Sequence, residues 1–352
     1  MPELSPGQQW GPSLSLVDPA NPVPREAARR NGAGRTGSAG IAAIAAALPE
    51  RIVENQELAE PLGIDSEWIS TRTGVQRRRR ADGETMVDLA TEAGSRALAA
   101  AGMDPYELDL VLVATFTPDQ ILPNAAPQVA SRLGTPAGAV DLGAACTGFL
   151  YGLSLAAAQL ESGRARAALV VGAEVISSVV DYSDKRTAGL FGDGAGAAVV
   201  TAGGPGLIGP IALSADGSRG ELIQVGSEER LIRMDGRATF RAAVAAMSDA
   251  TERVASDAGL SLDEIDLFVY HQANSRIIAA VGERLNLPAE RVIDCLGEYG
   301  NTSAASIPIA LAEAAASGAL RPGSRVLVSA FGAGLTWGAG VVEWAGDWKA
   351  AA

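Results

Sequence analysis

The chain has 352 residues, 47% hydrophobic and 20% charged, the make-up of a water-soluble enzyme long enough for one large α/β core or two fused halves. Its net charge of −13 argues against a nucleic-acid surface, because phosphate binding wants positive potential. Two cysteines are too few for a disulfide framework, which points to a reducing, cytoplasmic setting, and no apolar run reaches the roughly 20 residues of a membrane helix.

Residues 1–39 read as a surface-running extension: six prolines lie within Met1–Gly40, with polar and glycine spacers and no hydrophobic signal core. From Gly40 onward, helices alternate with apolar strands, the signature of a layered α/β fold. Trp68 and Arg72 precede the one basic cluster, Arg77-Arg78-Arg79-Arg80. This run reads equally as a solvated patch or as an attractor of a phosphorylated carrier or cofactor, with Trp68 placed to stack on a base. Next comes a repeat. The peptide from Ala101 to Leu110 matches that from Ala258 to Leu267, each after an Ala-rich helix and each leading into a strand. Arg132-Leu133 likewise matches Arg284-Leu285, and Glu161-Ser162-Gly163 matches Ala316-Ser317-Gly318. The chain therefore reads as two similar halves, 40–208 and 209–352, joined near Pro205 and Pro210.

Cys146 lies between the apolar strand at 139–142 and a helix, among the small residues Gly143, Ala144, Ala145 and Gly148. Small neighbours admit a substrate carbonyl, and a helix N-terminus lowers a thiol's pKa. Locally an inert buried thiol fits as well as a nucleophile. Aligning the two halves at their Ser-Gly helix ends sets Cys146 opposite Asn301, which favours the nucleophile. The stretch Phe191–Ala197 lacks the spacing and Lys of a phosphate loop and leads into a strand, so its glycines read as close strand packing. His271 is the single histidine; it leaves an apolar strand and is followed by the polar Asn274 and Arg276, which suits a ligand mouth. Cys295 reads as packing filler. Asn301 on its own fits a helix N-cap. The glycine loop Phe331–Gly338 follows the strand at 326–328, where a backbone N–H can aim at an oxyanion beside Cys146. One His and two separated Cys do not make a metal ligand set.

From Gly40 to Trp344 the chain resembles the β-ketoacyl-acyl-carrier-protein synthases III, members of the thiolase-fold condensing enzymes. The resemblance rests on Glu67–Gly74, Gly143–Phe149, Phe191–Ala197, His271-Gln272-Ala273-Asn274, Gly300–Ser306 and Phe331–Gly338, in the family's order. It implies a duplicated five-layered αβαβα fold, a homodimer, and no tightly bound cofactor. It also implies a ping-pong reaction: acyl-CoA acylates Cys146, and malonyl-ACP then decarboxylates and attacks the thioester. By the same resemblance, His271 and Asn301 hold the malonyl thioester oxygen, and the amides of Cys146 and Ala333 form the oxyanion hole. Trp68 and Arg72 grip the CoA adenine end, Asn274 stands near the pantetheine arm, and Arg241 and Arg276 receive the acidic carrier protein. Two positions depart from the family. Ala333 stands where a Gly is frequent, and Leu122 stands where a larger aromatic often closes the partner's acyl pocket, which implies primers beyond acetyl. The alternative is a relative that hands the acyl group to an oxygen or nitrogen acceptor. An inactive partner subunit is a third reading, against which the intact Cys146 speaks.

Overall fold

A computed structural model describes residues 37–344, so nearly all of the extension read at 1–39 lies outside the described residues. The first half opens with β1 (Ala39–Ala47), β2 (Ile52–Glu54), α1 (Asn55–Ala59), α2 (Ser66–Thr73) and β3 (Arg77–Arg79). It continues through α3 (Met86–Ala101), β4 (Leu110–Ala114), α4 (Ala125–Leu133), β5 (Gly138–Leu142), α5 (Gly148–Glu161), β6 (Ala167–Glu174) and β7 (Gly194–Ala202). The second half begins with β8 (Gly206–Ala215), the small hairpin β9 (Ile223–Val225) and β10 (Ile232–Met234), α6 (Gly236–Asp257) and β11 (Leu267–Tyr270). Then follow α7 (Ser275–Arg284), α8 (Leu296–Tyr299), α9 (Ser306–Ala316), β12 (Ser324–Gly332) and β13 (Thr336–Trp344).

Nine of these strands form one sheet in the order β5-β4-β6-β7-β1-β8-β13-β12-β11. Outward from the antiparallel β1–β8 seam the two sides read alike. The neighbours β7 and β13 are antiparallel, β6 and β12 antiparallel again, and β4 and β11 parallel. At the first edge β5 pairs parallel with β4, whereas on the other side only a bridge between Phe268 and Val292 holds that place. The repeated peptides fall at matching turns, between α3 and β4 and between α6 and β11. The stretch around Pro205 and Pro210, read as a joint, is largely the strand β8.

Burial explains the five layers. Along β6, Ala168 and Val170 enter one core cluster while Ala167, Leu169, Val171 and Ala173 enter another, so both faces are covered. The outer cluster holds α3 and α4 against the first half of the sheet, and a third cluster holds α6 and α7 against the second. Between the halves lie α5 and α9, apolar around most of their circumference, sharing one core with strands of both sides.

The two central helices also correct the alignment of the halves. α5 has 14 residues and α9 has 11, so counting back from their ends sets Cys146 opposite Asn301. The 3-10 turns that open them, Ala145–Thr147 and Ser303–Ala305, instead set Cys146 opposite Ala304. Each turn meets a strand of the other half at close range. A Cβ on Gly172 would stand 2.2 Å from the Ala304 carbonyl oxygen, and one on Gly332 would stand 2.9 Å from the Cys146 nitrogen. Gly172→Ala is therefore expected to cost about 1–3 kcal/mol by forced displacement of backbone. Urea denaturation checks this, and a wild-type midpoint contradicts it.

Candidate active site

The site begins where β5 ends. Ala145 and Ser303 occupy matching positions in the two helix-opening turns and share a left-handed backbone, φ 45 and 48, which a side chain adopts at a cost of roughly 1–3 kcal/mol. The first kink is braced from both halves. Thr147 Oγ1 donates to the Ala144 carbonyl at 2.6 Å and lies 2.7 Å from Thr336 Oγ1, which is itself 3.1 Å from the Ala333 carbonyl. The Cys146 amide thus lies against the end of β12, next to Ala333.

His271 continues the β11–β12 ladder, its N–H donating to the Ser329 carbonyl at 2.8 Å. The ring is 1% exposed, and its Nδ1 lies 2.6 Å from Ser306 Oγ, at the first residue of α9. Asn301 is fixed differently. Its N–H donates to the Leu190 carbonyl and its carbonyl accepts from Gly192, which locks it beside Phe191. Asn301 Oδ1 accepts from the Ser303 N–H at 2.9 Å, so the side-chain amide hydrogens are left for the cavity. Asn301 therefore does more than begin a helix: α9 starts at Ser306.

Burial dominates the electrostatics. The His271 ring is held down to about 3 by desolvation, which favours its neutral form. Cys146 lines the cavity, yet desolvation pushes its thiol up to about 11, against a hydrogen bond from Ser303, with the Glu174 carboxyl acting in the raising direction. Burial thus opposes the lowering expected of a thiol at a helix terminus, although Cys146 is only part-buried. Glu174 is wholly buried at the end of β6 and is itself pushed up to about 7 by burial. It accepts from the N–H of Phe116 and Thr117 and from the hydroxyls of Thr115 and Thr117, fixing the turn that carries Phe116 into the cavity wall.

One cavity of about 1220 Å3 gathers the expected residues: Cys146, His271, Asn301 and Ala333 line it with Trp68, Arg72, Asn274, Arg241 and Arg276. Leu122 is not among them. The turn at 120–123 juts outward, leaving Leu122 74% exposed, and its neighbour Ile121 reaches the cavity instead. The mouth is basic. Arg230, Arg237, Arg241 and Arg276 have no carboxylate within 4 Å among the described residues, whereas Arg186 is forked onto Asp184. The Arg72 guanidinium lies 4.3 Å from the Trp68 ring centre and Lys185 Nζ 5.7 Å. The Asn274 side chain is already engaged, donating to the Arg72 carbonyl at 3.0 Å and capping α7 through the Arg276 N–H.

The run Arg77–Arg80 is largely tied into the fold. Arg78 is 3% exposed and donates to the Val53 and Gly189 carbonyls and to Asn55 Oδ1, with burial lowering it to about 10. Arg77 pairs with Glu298, Arg79 donates to the carbonyls of Pro49 and Glu50, and Arg80 covers Tyr182. Among the described residues no three His, Cys, Asp or Glu side chains are grouped to hold a metal.

Comparison with known proteins decides the family. The profile described as 3-oxoacyl-[acyl-carrier-protein] synthase III matches residues 140–217, and that of its C-terminal part matches 255–344. The β-ketoacyl-[acyl-carrier-protein] synthase III 2 of Streptomyces coelicolor is 47% identical over 321 residues, covering 89% of this chain and 97% of the relative. This chain belongs to the 3-oxoacyl-[acyl-carrier-protein] synthase III family. The family enzyme of Pseudomonas aeruginosa superposes with a TM-score of 0.85 at 43% identity, over 88% of this chain and 99% of that one. A priming β-ketosynthase of the R1128 polyketide biosynthetic pathway gives 0.84 at 37% identity, over 89% and 99%. Membership brings the thiolase fold with it.

A synthase III thiol held near 11 is protonated at neutral pH, and its thiolate fraction grows tenfold per pH unit. Iodoacetamide labelling of Cys146, read on its tryptic peptide, is therefore expected to accelerate about tenfold per unit between about pH 7 and 9. A plateau below pH 8 contradicts that reading.

Proposed function

We propose that this synthase III is a priming condensing enzyme, an acyltransferase that starts a fatty-acid or polyketide chain. What carries the reading is the meeting of one thiol, Cys146, with two neutral donors, His271 and Asn301, in a single cavity with a basic mouth. In the first half-reaction Cys146 Sγ attacks the carbonyl of an acyl-CoA. The C–S bond to CoA breaks, and the thiol proton passes to the departing CoA sulfur. The Cys146 and Ala333 amides stabilise the oxyanion of that step. In the second, malonyl-ACP loses CO2, and His271 and Asn301 hold its thioester oxygen as enolate charge develops. The carbanion attacks the acyl thioester, and Cys146 leaves and takes a proton from solvent, freeing 3-oxoacyl-ACP. A neutral imidazole suits this work, since it gives an N–H without offering a proton to be lost.

Trp68 and Arg72 make an aromatic and cationic platform for the adenine end of CoA, with Asn274 along the pantetheine arm. Arg241 and Arg276 meet the acidic carrier protein, which reconciles a net charge of −13 with an acidic partner, because they stand at the mouth with Arg230 and Arg237, without a carboxylate within 4 Å among the described residues. The exposed Leu122 is assigned to a partner subunit's acyl pocket in a cytoplasmic homodimer, admitting primers beyond acetyl. The halves 40–208 and 209–352 are taken as two copies of one unit. A pure acyl transfer to oxygen or nitrogen would not call for both enolate donors.

The two half-reactions separate the roles. Cys146→Ala is expected to abolish loading from acyl-CoA. His271→Ala and Asn301→Ala should load at near wild-type rate but condense about 10²–10³-fold more slowly. Rapid-quench assays of each half-reaction check this. Equal loss of loading in all three variants would contradict the division of labour.

A further inference from the structure

The two ring nitrogens of His271 face different surroundings, and the difference decides which of them carries the proton. Nδ1 lies 2.6 Å from Ser306 Oγ, while no protein group meets Nε2 among the described residues. The Gln272 N–H already donates to Ser306 Oγ at 3.2 Å. That hydroxyl has one hydrogen, and Nδ1 is the one acceptor it meets. Ser306 is 1% exposed and is also the first residue of α9.

We infer that Ser306 is a positioning residue: by donating to Nδ1 it fixes His271 as the neutral tautomer protonated on Nε2, the form that points an N–H into the cavity. The inference rests on the donor role given to His271 in the proposed function. The opposite tautomer would turn a lone pair towards the developing enolate oxygen and repel it. The Ser306 hydroxyl touches no substrate; it acts through the ring.

The chain suits the decisive test because His271 is its single histidine. The 15N spectrum of histidine-labelled wild-type protein is expected to show a protonated Nε2 and a bare Nδ1 from pH 5 to 9. A protonated Nδ1 in the wild type overturns the inference, and this reading needs no variant to fold. Ser306→Ala is expected to load acyl-CoA within about twofold of wild type and to condense about 10–100-fold more slowly, as when a supporting group behind an active histidine is lost. Ser306→Thr, which keeps the hydroxyl, should restore most of that loss. A Ser306→Ala protein that folds, loads and condenses at the wild-type rate also overturns the inference. Failure of the wild type to condense with any donor removes the proposed function instead, and the spectrum still decides the Ser306 contact.

Discussion

The contact on which the rest depends is the crossing of two kinked helix starts, each pressed against a strand of the other half. Gly172 makes room for the Ala304 carbonyl, and Gly332 makes room for the Cys146 amide. A side chain at either place would force the halves apart, and with them the thiol and its donors. The kinks at Ala145 and Ser303 add backbone strain that neither turn sustains alone. Bracing by Thr147 and Thr336, one from each half, holds the first kink closed. Cys146 comes from one half and His271 and Asn301 from the other, so the chemistry belongs to the seam.

The same burial shifts three groups at the seam towards their neutral forms. Taking water away raises the thiol, lowers the imidazole and raises the Glu174 carboxyl. The result is a site in which burial favours neutral donors and a protonated thiol, beneath a mouth lined by Arg230, Arg237, Arg241 and Arg276. Such a site does not hold charge in its resting state; it meets charge as the reaction creates it. Glu174 is the exception, a buried carboxyl surrounded by donors, and its task in this fold is to anchor the turn bearing Phe116.

Much of this was legible in the sequence. The alternation of helices with apolar strands and the repeat around Gly102 and Gly259 announced a duplicated α/β fold, because apolar runs and helix-to-strand turns are local properties. Cys146, His271, Asn301 and Ala333 do line one cavity, but only Cys146, His271 and Ala333 follow strands, whereas Asn301 follows α8. Misreadings arose where tertiary structure decides. The Cys146–Asn301 alignment failed because α9 is shorter than α5, which an alignment anchored at helix ends cannot register. The thiol lowering expected at a helix end is opposed by burial, which is a property of the whole cavity rather than of one helix end. Arg77–Arg80 looked like a surface cluster, yet β2–β3 pairing turns Arg78 inward onto backbone carbonyls. Ser306 went unnoticed although it closes the Gly300–Ser306 motif. Its role depends on a hydrogen bond to a residue 35 positions away.

Intact-protein mass spectrometry, with a chase, tests the central claim most directly. The wild-type chain is incubated with a panel of acyl-CoAs and then exposed to malonyl-ACP. The account predicts a single acyl mass gain on the peptide bearing Cys146, discharged by malonyl-ACP as 3-oxoacyl-ACP with release of CO2. An acyl mass that malonyl-ACP leaves in place, or a gain on any other residue, would contradict it.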